Sequence, residues 1–192
     1  MSEKLFDRRD FMKSGLAGVG GLLLATSRPK ETIATQQKII SRTLGNTGIK
    51  VPIVSMGMVS AGNPSLVRAA LDAGIVYIDT AQAYHRGQSE ELVGEVVKSR
   101  SRDSYIVSTK VGFRGPLGVS LITGLYTAEA TEEAFLKNVD VSLKRLGLDY
   151  VDILYHHNPW RRESALYEPA LKAMEKVKKS GKARFLGVSY HR

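Results

Sequence analysis

The sequence predicts an α/β protein, and three observations predict it. Short, near-continuous apolar runs such as Val76-Tyr77-Ile78 and Tyr105-Ile106-Val107 recur along the chain, the pattern of parallel strands covered on both faces. Between them lie amphipathic stretches, for example Phe135, Val139, Leu143 and Leu146, whose spacing puts apolar side chains on one helical face. Gly74, Gly147 and Gly181 stand where those stretches should stop.

Taken in order, residues 41–51 read as two extended pieces around a Gly-Asn-Thr-Gly turn, a β-hairpin that would plug the bottom of a barrel. The chain then alternates: extended 53–59, helix 65–73, extended 76–80, helix 89–98, extended 105–110. Helix 131–146, extended 150–157, helix 166–179 and extended 183–189 follow. Five strands thus alternate with four helices. Periodicity alone does not separate a barrel from a doubly wound sheet. A dinucleotide-binding doubly wound fold calls for G-x-G-x-x-G after its first strand, and Met56-Gly57-Met58-Val59-Ser60-Ala61-Gly62 lacks that spacing.

With 192 residues, 43% apolar and 24% charged, the chain can bury one globular core. The formal charge of +9 is diffuse, without aromatic interleaving, so no nucleic-acid partner is expected and a basic pocket for phosphates is the better use. Absence of cysteine excludes disulfides and thiolate metal sites.

Residues 1–34 read as an address. Arg8-Arg9-Asp10-Phe11-Met12-Lys13 precedes a run of small residues and leucines over 14–27, which looks like a twin-arginine signal. That run is too short and Gly-rich to span a bilayer, which needs about 20 apolar residues, so no stable membrane anchor is expected. The expected partner is the twin-arginine export machinery. The expected location is periplasmic or otherwise extracytoplasmic, or cytoplasmic if the signal is not used. The remaining residues, 35–192, form the second unit.

In parallel barrels the chemistry sits at the strand C-termini. Here the second strand runs into Asp79, the third into Lys110, the fourth into His156 and His157, and the fifth into Ser189. An ionisable residue closing an apolar strand is costly unless paired or used. Asp79 and Lys110 could form an ion pair and nothing more. Tyr84, five residues after Asp79, would stand above the same mouth, where an ammonium favours phenolate and makes a phenol a better proton donor. Asp79 would then hold Lys110, and a histidine would bond a carbonyl or assist the proton.

Four ordered blocks, Ile-Asp-Thr-Ala-Gln-Ala-Tyr (78–84), Ser-Thr-Lys (108–110), Asp-Tyr-Val-Asp-Ile-Leu-Tyr-His-His-Asn-Pro (149–159) and Gly-Lys-Ala-Arg-Phe-Leu-Gly-Val-Ser (181–189), resemble the signatures of aldo/keto reductases. The resemblance implies a (β/α)8 TIM barrel that reduces an aldehyde or ketone with NADPH, or with NADH. It implies a catalytic set of Asp79, Tyr84, Lys110 and His157. His157 is preferred to His156 because the family's histidine falls five residues after the aspartate at 152 and two before the proline at 159; strand alternation then turns His156 away. The resemblance also puts Gly57, Met58 through its backbone, Asp79 and Ser189 at the cofactor, with Tyr190 where many members carry Asn. The 89–94 segment matches the helix after the tyrosine, where Glu90 and Glu91 read as ordinary first-turn acids. Trp160 would line the substrate pocket or cover the rim.

The sequence ends just after the fifth strand, whereas a closed barrel needs eight. The expectation is therefore the front five-eighths of a barrel, without the family's loop for the adenosine 2′-phosphate. Its open edges are an aggregation hazard, so residues 35–192 alone should be poorly soluble and nearly inactive. The Gly-rich loop 112–130 would cover the mouth or mediate contacts. Two other functions compete with this reading: a non-catalytic cofactor-binding barrel, and a metal-dependent hydrolase using His156 and His157, which point oppositely and make a poor chelate.

Overall fold

The computed structural model describes residues 39–113, 119, 123 and 125–190. The signal segment expected over 1–34, and most of loop 112–130 beyond Phe113, lie outside the described residues.

The hairpin pairs β1 (Ser41–Thr43) antiparallel with β2 (Lys50–Pro52), Arg42 opposite Val51. Its turn is closed by Thr47, whose hydroxyl donates to the Leu44 carbonyl at 2.6 Å and accepts from the Ile49 N–H. The first sheet strand, β3, is only Met56–Gly57 rather than 53–59, because the Ile53 N–H still bonds the Ile40 carbonyl and so continues the hairpin.

From there the βα alternation holds. Helix α1 (Pro64–Asp72) is capped by Asn63, whose side chain accepts from the Ser65 N–H, with Pro64 in the first turn. Then come β4 (Tyr77–Asp79), α2 (Gln88–Val97), β5 (Ile106–Val111) and α3 (Glu132–Leu146). Thr131 caps α3, and Gly147 ends it at φ 62°, a left-handed value that lets the N–H turn back to the helix carbonyls. Strand β6 (Val151–His157) leads to a short turn α4 (Arg162–Ala165), then α5 (Glu168–Lys179) and β7 (Ala183–Ser189). The single helix expected over 166–179 therefore starts later and is preceded by a separate turn. Pro169 has no N–H for the Ala165 carbonyl and its ring would strike that carbonyl, so α4 cannot run on into α5.

The five parallel strands are hydrogen-bonded in chain order, β3-β4-β5-β6-β7, with no point at which the order reverses. This is barrel-wall topology and not the doubly wound alternative. Strand alternation sorts the side chains. Val107, Val111 and Leu154 meet Phe135, Val139 and Leu146 of α3 and Val96 and Val97 of α2 in the buried core between sheet and helices. Tyr77, Asp79, Ser108 and Lys110 take the other face.

At the strand N-termini one carboxylate ties three strands. Asp152 of β6 is buried and accepts from the Val107 N–H of β5 at 2.9 Å, from Arg102 at 2.7 Å and from Arg184 of β7 at 2.9 Å. Burying it is tolerable because both its oxygens are paired.

Helices α2 and α3 approach at Gly94, where a Cβ would stand 2.7 Å from the backbone oxygens of Arg145 and Leu146. Gly94→Ala is expected to force the helices apart and cost about 1–3 kcal/mol in denaturant unfolding; an unchanged midpoint contradicts this packing.

His156 belongs to the core as well. It is fully buried, its Nε2 shares a 2.6 Å hydrogen bond with the Tyr126 hydroxyl, and its ring packs edge-on to Phe135. Burial pulls it down to about 4, so it stays neutral. The unfolded chain binds a proton near 6.5 and the folded chain does not, so stability is complete above pH 6.5 and falls as pH drops from there toward 4, by on the order of 3 kcal/mol. His156→Gln should flatten that part of the stability-against-pH curve; an identical slope in both proteins contradicts the assignment.

Candidate active site

Asp79 ends β4 and Lys110 lies one residue from the end of β5, both on the face turned away from the helices. The Lys110 ammonium has three protons and three acceptors. It donates to Asp79 Oδ2 at 2.5 Å, to the Thr80 carbonyl at 2.9 Å and to the Tyr84 hydroxyl at 3.3 Å. The lysine side chain is 8% exposed and the aspartate 29%, so the pair is shielded at its base and open toward the mouth.

Tyr84 reaches this point through a tight turn. After β4 the backbone stays tied to β5, with Thr80 N–H bonding Ser108 and Gln82 N–H bonding Lys110 at 3.0 Å each. His85, Arg86 and Gly87 then adopt φ values of 48°, 57° and 97°, three left-handed residues in succession that reverse the chain into α2. Two of them are not glycine, which is uncommon and marks stored backbone strain. His85 secures the turn with a ring nitrogen 3.1 Å from the Val59 carbonyl.

The strain is held from behind. Glu90, expected as a solvated first-turn acid, is fully buried: it accepts from Thr109 Oγ1 at 2.6 Å and pairs with Arg145 at 3.4 Å. It is buried and not solvated because α2 lays that face of its first turn on the outer side of β5, where Thr109 points; Glu91 remains exposed. Arg145 in turn lies against Gly87, where a Cβ would stand 2.3 Å from the guanidinium carbon.

His157 is half-buried, and its ring meets that of Tyr84 edge-on at 6.0 Å between centroids, with 87° between the planes. Asp79, Tyr84, Lys110 and His157 are thus brought together, while His156 faces the core. The positions named for a cofactor are distributed differently. Gly57 is exposed, with no atom within 4 Å of where a Cβ would stand, which leaves room above the end of β3. Ser189 ends β7 opposite His157 in register and is half-buried. Met58 is fully buried; its N–H donates to the Asp79 carbonyl and its own carbonyl accepts from Ser89, so both backbone groups already have partners. Open space at Gly57 and the hydroxyl of Ser189, on strands flanking the cluster, fit a flat, polar-edged cofactor lying across the strand ends. Trp160, just past the strand, is 53% exposed.

Sequence reasoning missed Tyr77 and Ser108. Both lie on the interior face, two residues before Asp79 and Lys110 respectively. That interval of two was the signal available.

The aldo/keto reductase family model matches residues 58–192. The chain is 35% identical over 165 residues to the L-galactose dehydrogenase of Arabidopsis thaliana, covering 79% of this chain and 49% of that protein. Among solved structures it is similar to the aldo-keto reductase AKR11C1 of Bacillus halodurans, with TM-score 0.65, 29% identity, and coverage of 80% and 51%. It is also similar to an aldo/keto reductase of Klebsiella pneumoniae solved in complex with NADP and acetate, with TM-score 0.55, 27% identity, and coverage of 73% and 46%. The chain spans about half the length of the curated relatives it matches. Family match, parallel strand order and the gathered Asp79, Tyr84, Lys110 and His157 agree: the chain belongs to the aldo/keto reductase family.

Proposed function

We propose that this chain supplies the proton-donating side of a nicotinamide-dependent carbonyl reductase that acts on an aldehyde or ketone. The observation that carries this reading is the Lys110 ammonium shared between the Asp79 carboxylate and the Tyr84 hydroxyl at the open end of the strands. Ground-state pairing of Asp79 with Lys110 needs no tyrosine; a phenol bonded to the same ammonium is an acid waiting for a base.

A bound reduced nicotinamide supplies the hydride that the carbonyl carbon receives. Tyr84 gives its hydroxyl proton to the carbonyl oxygen, so the product is an alcohol and the tyrosine is left as phenolate. Lys110 stabilises that phenolate as the charge appears, at a site mostly screened from water, where a fixed cation is worth more than in solvent. Asp79 keeps Lys110 in place, and His157, edge-on to Tyr84, orients the carbonyl oxygen. A second proton, taken up from solvent, then restores the Tyr84 hydroxyl, so each hydride transferred consumes one solvent proton. Ser189 and the open space at Gly57 would hold the nicotinamide end. The Klebsiella neighbour's NADP complex supports a nicotinamide cofactor, NADP or NAD. Arg8-Arg9 ahead of the small-residue run supports export by the twin-arginine route to the periplasm.

NADPH and NADH oxidation with a panel of aldehydes and ketones tests the reading. Tyr84→Phe should lower turnover by about 10²–10⁴-fold with the fold intact; a Tyr84→Phe protein as fast as the parent would contradict Tyr84 as the proton donor.

A further inference from the structure

Behind the Asp79–Lys110 pair, Tyr77 and Asp79 on β4 and Ser108 and Lys110 on β5 form a block of four interior side chains. Asp79 and Ser108 are partners in register, and the other two lie two residues away on the same face. Their hydrogen bonds zigzag between the strands. The Tyr77 hydroxyl is 3.1 Å from Ser108 Oγ, Ser108 Oγ is 2.6 Å from Asp79 Oδ1, and Asp79 Oδ2 receives the Lys110 ammonium.

Donor arithmetic fixes the direction of this chain. A carboxylate only accepts, so Ser108 must spend its one proton on Asp79 Oδ1. Ser108 then has only its lone pairs left, so at this contact Tyr77 must donate to it. Burial, chiefly, holds the Tyr77 phenol above its ordinary range, which keeps it protonated and therefore a donor. Ser108 itself is fully buried.

We infer that Ser108, oriented by Tyr77, is a positioning residue that holds the Asp79 carboxylate so that Lys110 remains shared with Tyr84. This rests on the carbonyl-reductase reading. A carboxylate rotates easily about its last torsion. Without the Ser108 proton on Oδ1, both oxygens are free to turn toward the ammonium and draw it from Tyr84, whose 3.3 Å bond is the longest of the lysine's three. Proton delivery then slows while the carbonyl still binds. A residue that merely filled space would not separate those two quantities.

The test is steady-state kinetics of the full-length protein and its Ser108→Ala, Ser108→Thr and Tyr77→Phe variants, with thermal unfolding alongside. Ser108→Ala should lower kcat ~10-fold, because a hydrogen bond to a charged group is lost. KM for the carbonyl should stay within about twofold, since binding is not touched. The solvent deuterium isotope effect on kcat should rise as proton transfer becomes limiting, and Ser108→Thr, which keeps the hydroxyl, should restore kcat. If Ser108→Ala does not fold, Tyr77→Phe carries the test with about a threefold loss in kcat at unchanged KM. An active parent with equally active Ser108→Ala and Tyr77→Phe overturns the role of Ser108 and leaves the reductase reading standing. A parent that oxidises neither cofactor with any carbonyl overturns both.

Discussion

The Lys110 ammonium stands where the second and third sheet strands end, and its three protons meet a carboxylate, a backbone carbonyl and a phenol. Each contact asks something of the fold. Asp79 must end its strand on the interior face, Thr80 must stay within reach of β5, and the four-residue turn that begins at Tyr84 must keep its phenol over the mouth while leading into α2. A buried cation leaves little freedom, because any donor without an acceptor costs the full desolvation of that group. The surrounding architecture follows from meeting those three demands together.

The strained turn is the clearest consequence. Left-handed His85 and Arg86 would relax if the segment could move. Arg145, at the end of α3, closes on Gly87, and buried Glu90 fastens Arg145 to Thr109 on the outer face of the strand that carries Lys110. One strand is therefore held on both sides: Lys110 inward to Tyr84, and Thr109 outward to the helices that fix the Tyr84 turn. At the opposite end of the sheet Asp152 ties β5, β6 and β7, so the strand ends that bear function are free to be polar.

Much of this was legible in the sequence. Strand and helix order followed from apolar periodicity, and β7 was placed over its true span, because parallel strands and amphipathic helices leave different spacings. Interior-facing Asp79 and Lys110 could be read because ionisable groups at the ends of apolar strands are unusual, and Tyr84 because it follows Asp79 by five residues on the next loop. What was not legible depended on contacts distant in sequence. The shortening of β3 came from a backbone bond to Ile40, and the burial of Glu90 from the docking of α2 on Thr109 and Arg145. Ser108 and Tyr77 carry no charge, so only their interval of two from Lys110 and Asp79 marked them until the register set Ser108 beside Asp79.

Surface ion pairs such as Arg68–Glu95 and Lys172–Glu168 are well exposed and each contributes little. The Asp79–Lys110 pair is different, since a buried pair is weak evidence for stability and is often replaceable by apolar groups. The central claim is that it is kept for proton delivery. The direct measurement is the Asp79→Leu, Lys110→Met double variant, read by denaturant unfolding and by NAD(P)H turnover together. The account predicts stability unchanged or raised by about 1–4 kcal/mol with turnover lost. A loss of several kcal/mol with turnover retained would make the pair a structural strut and contradict it.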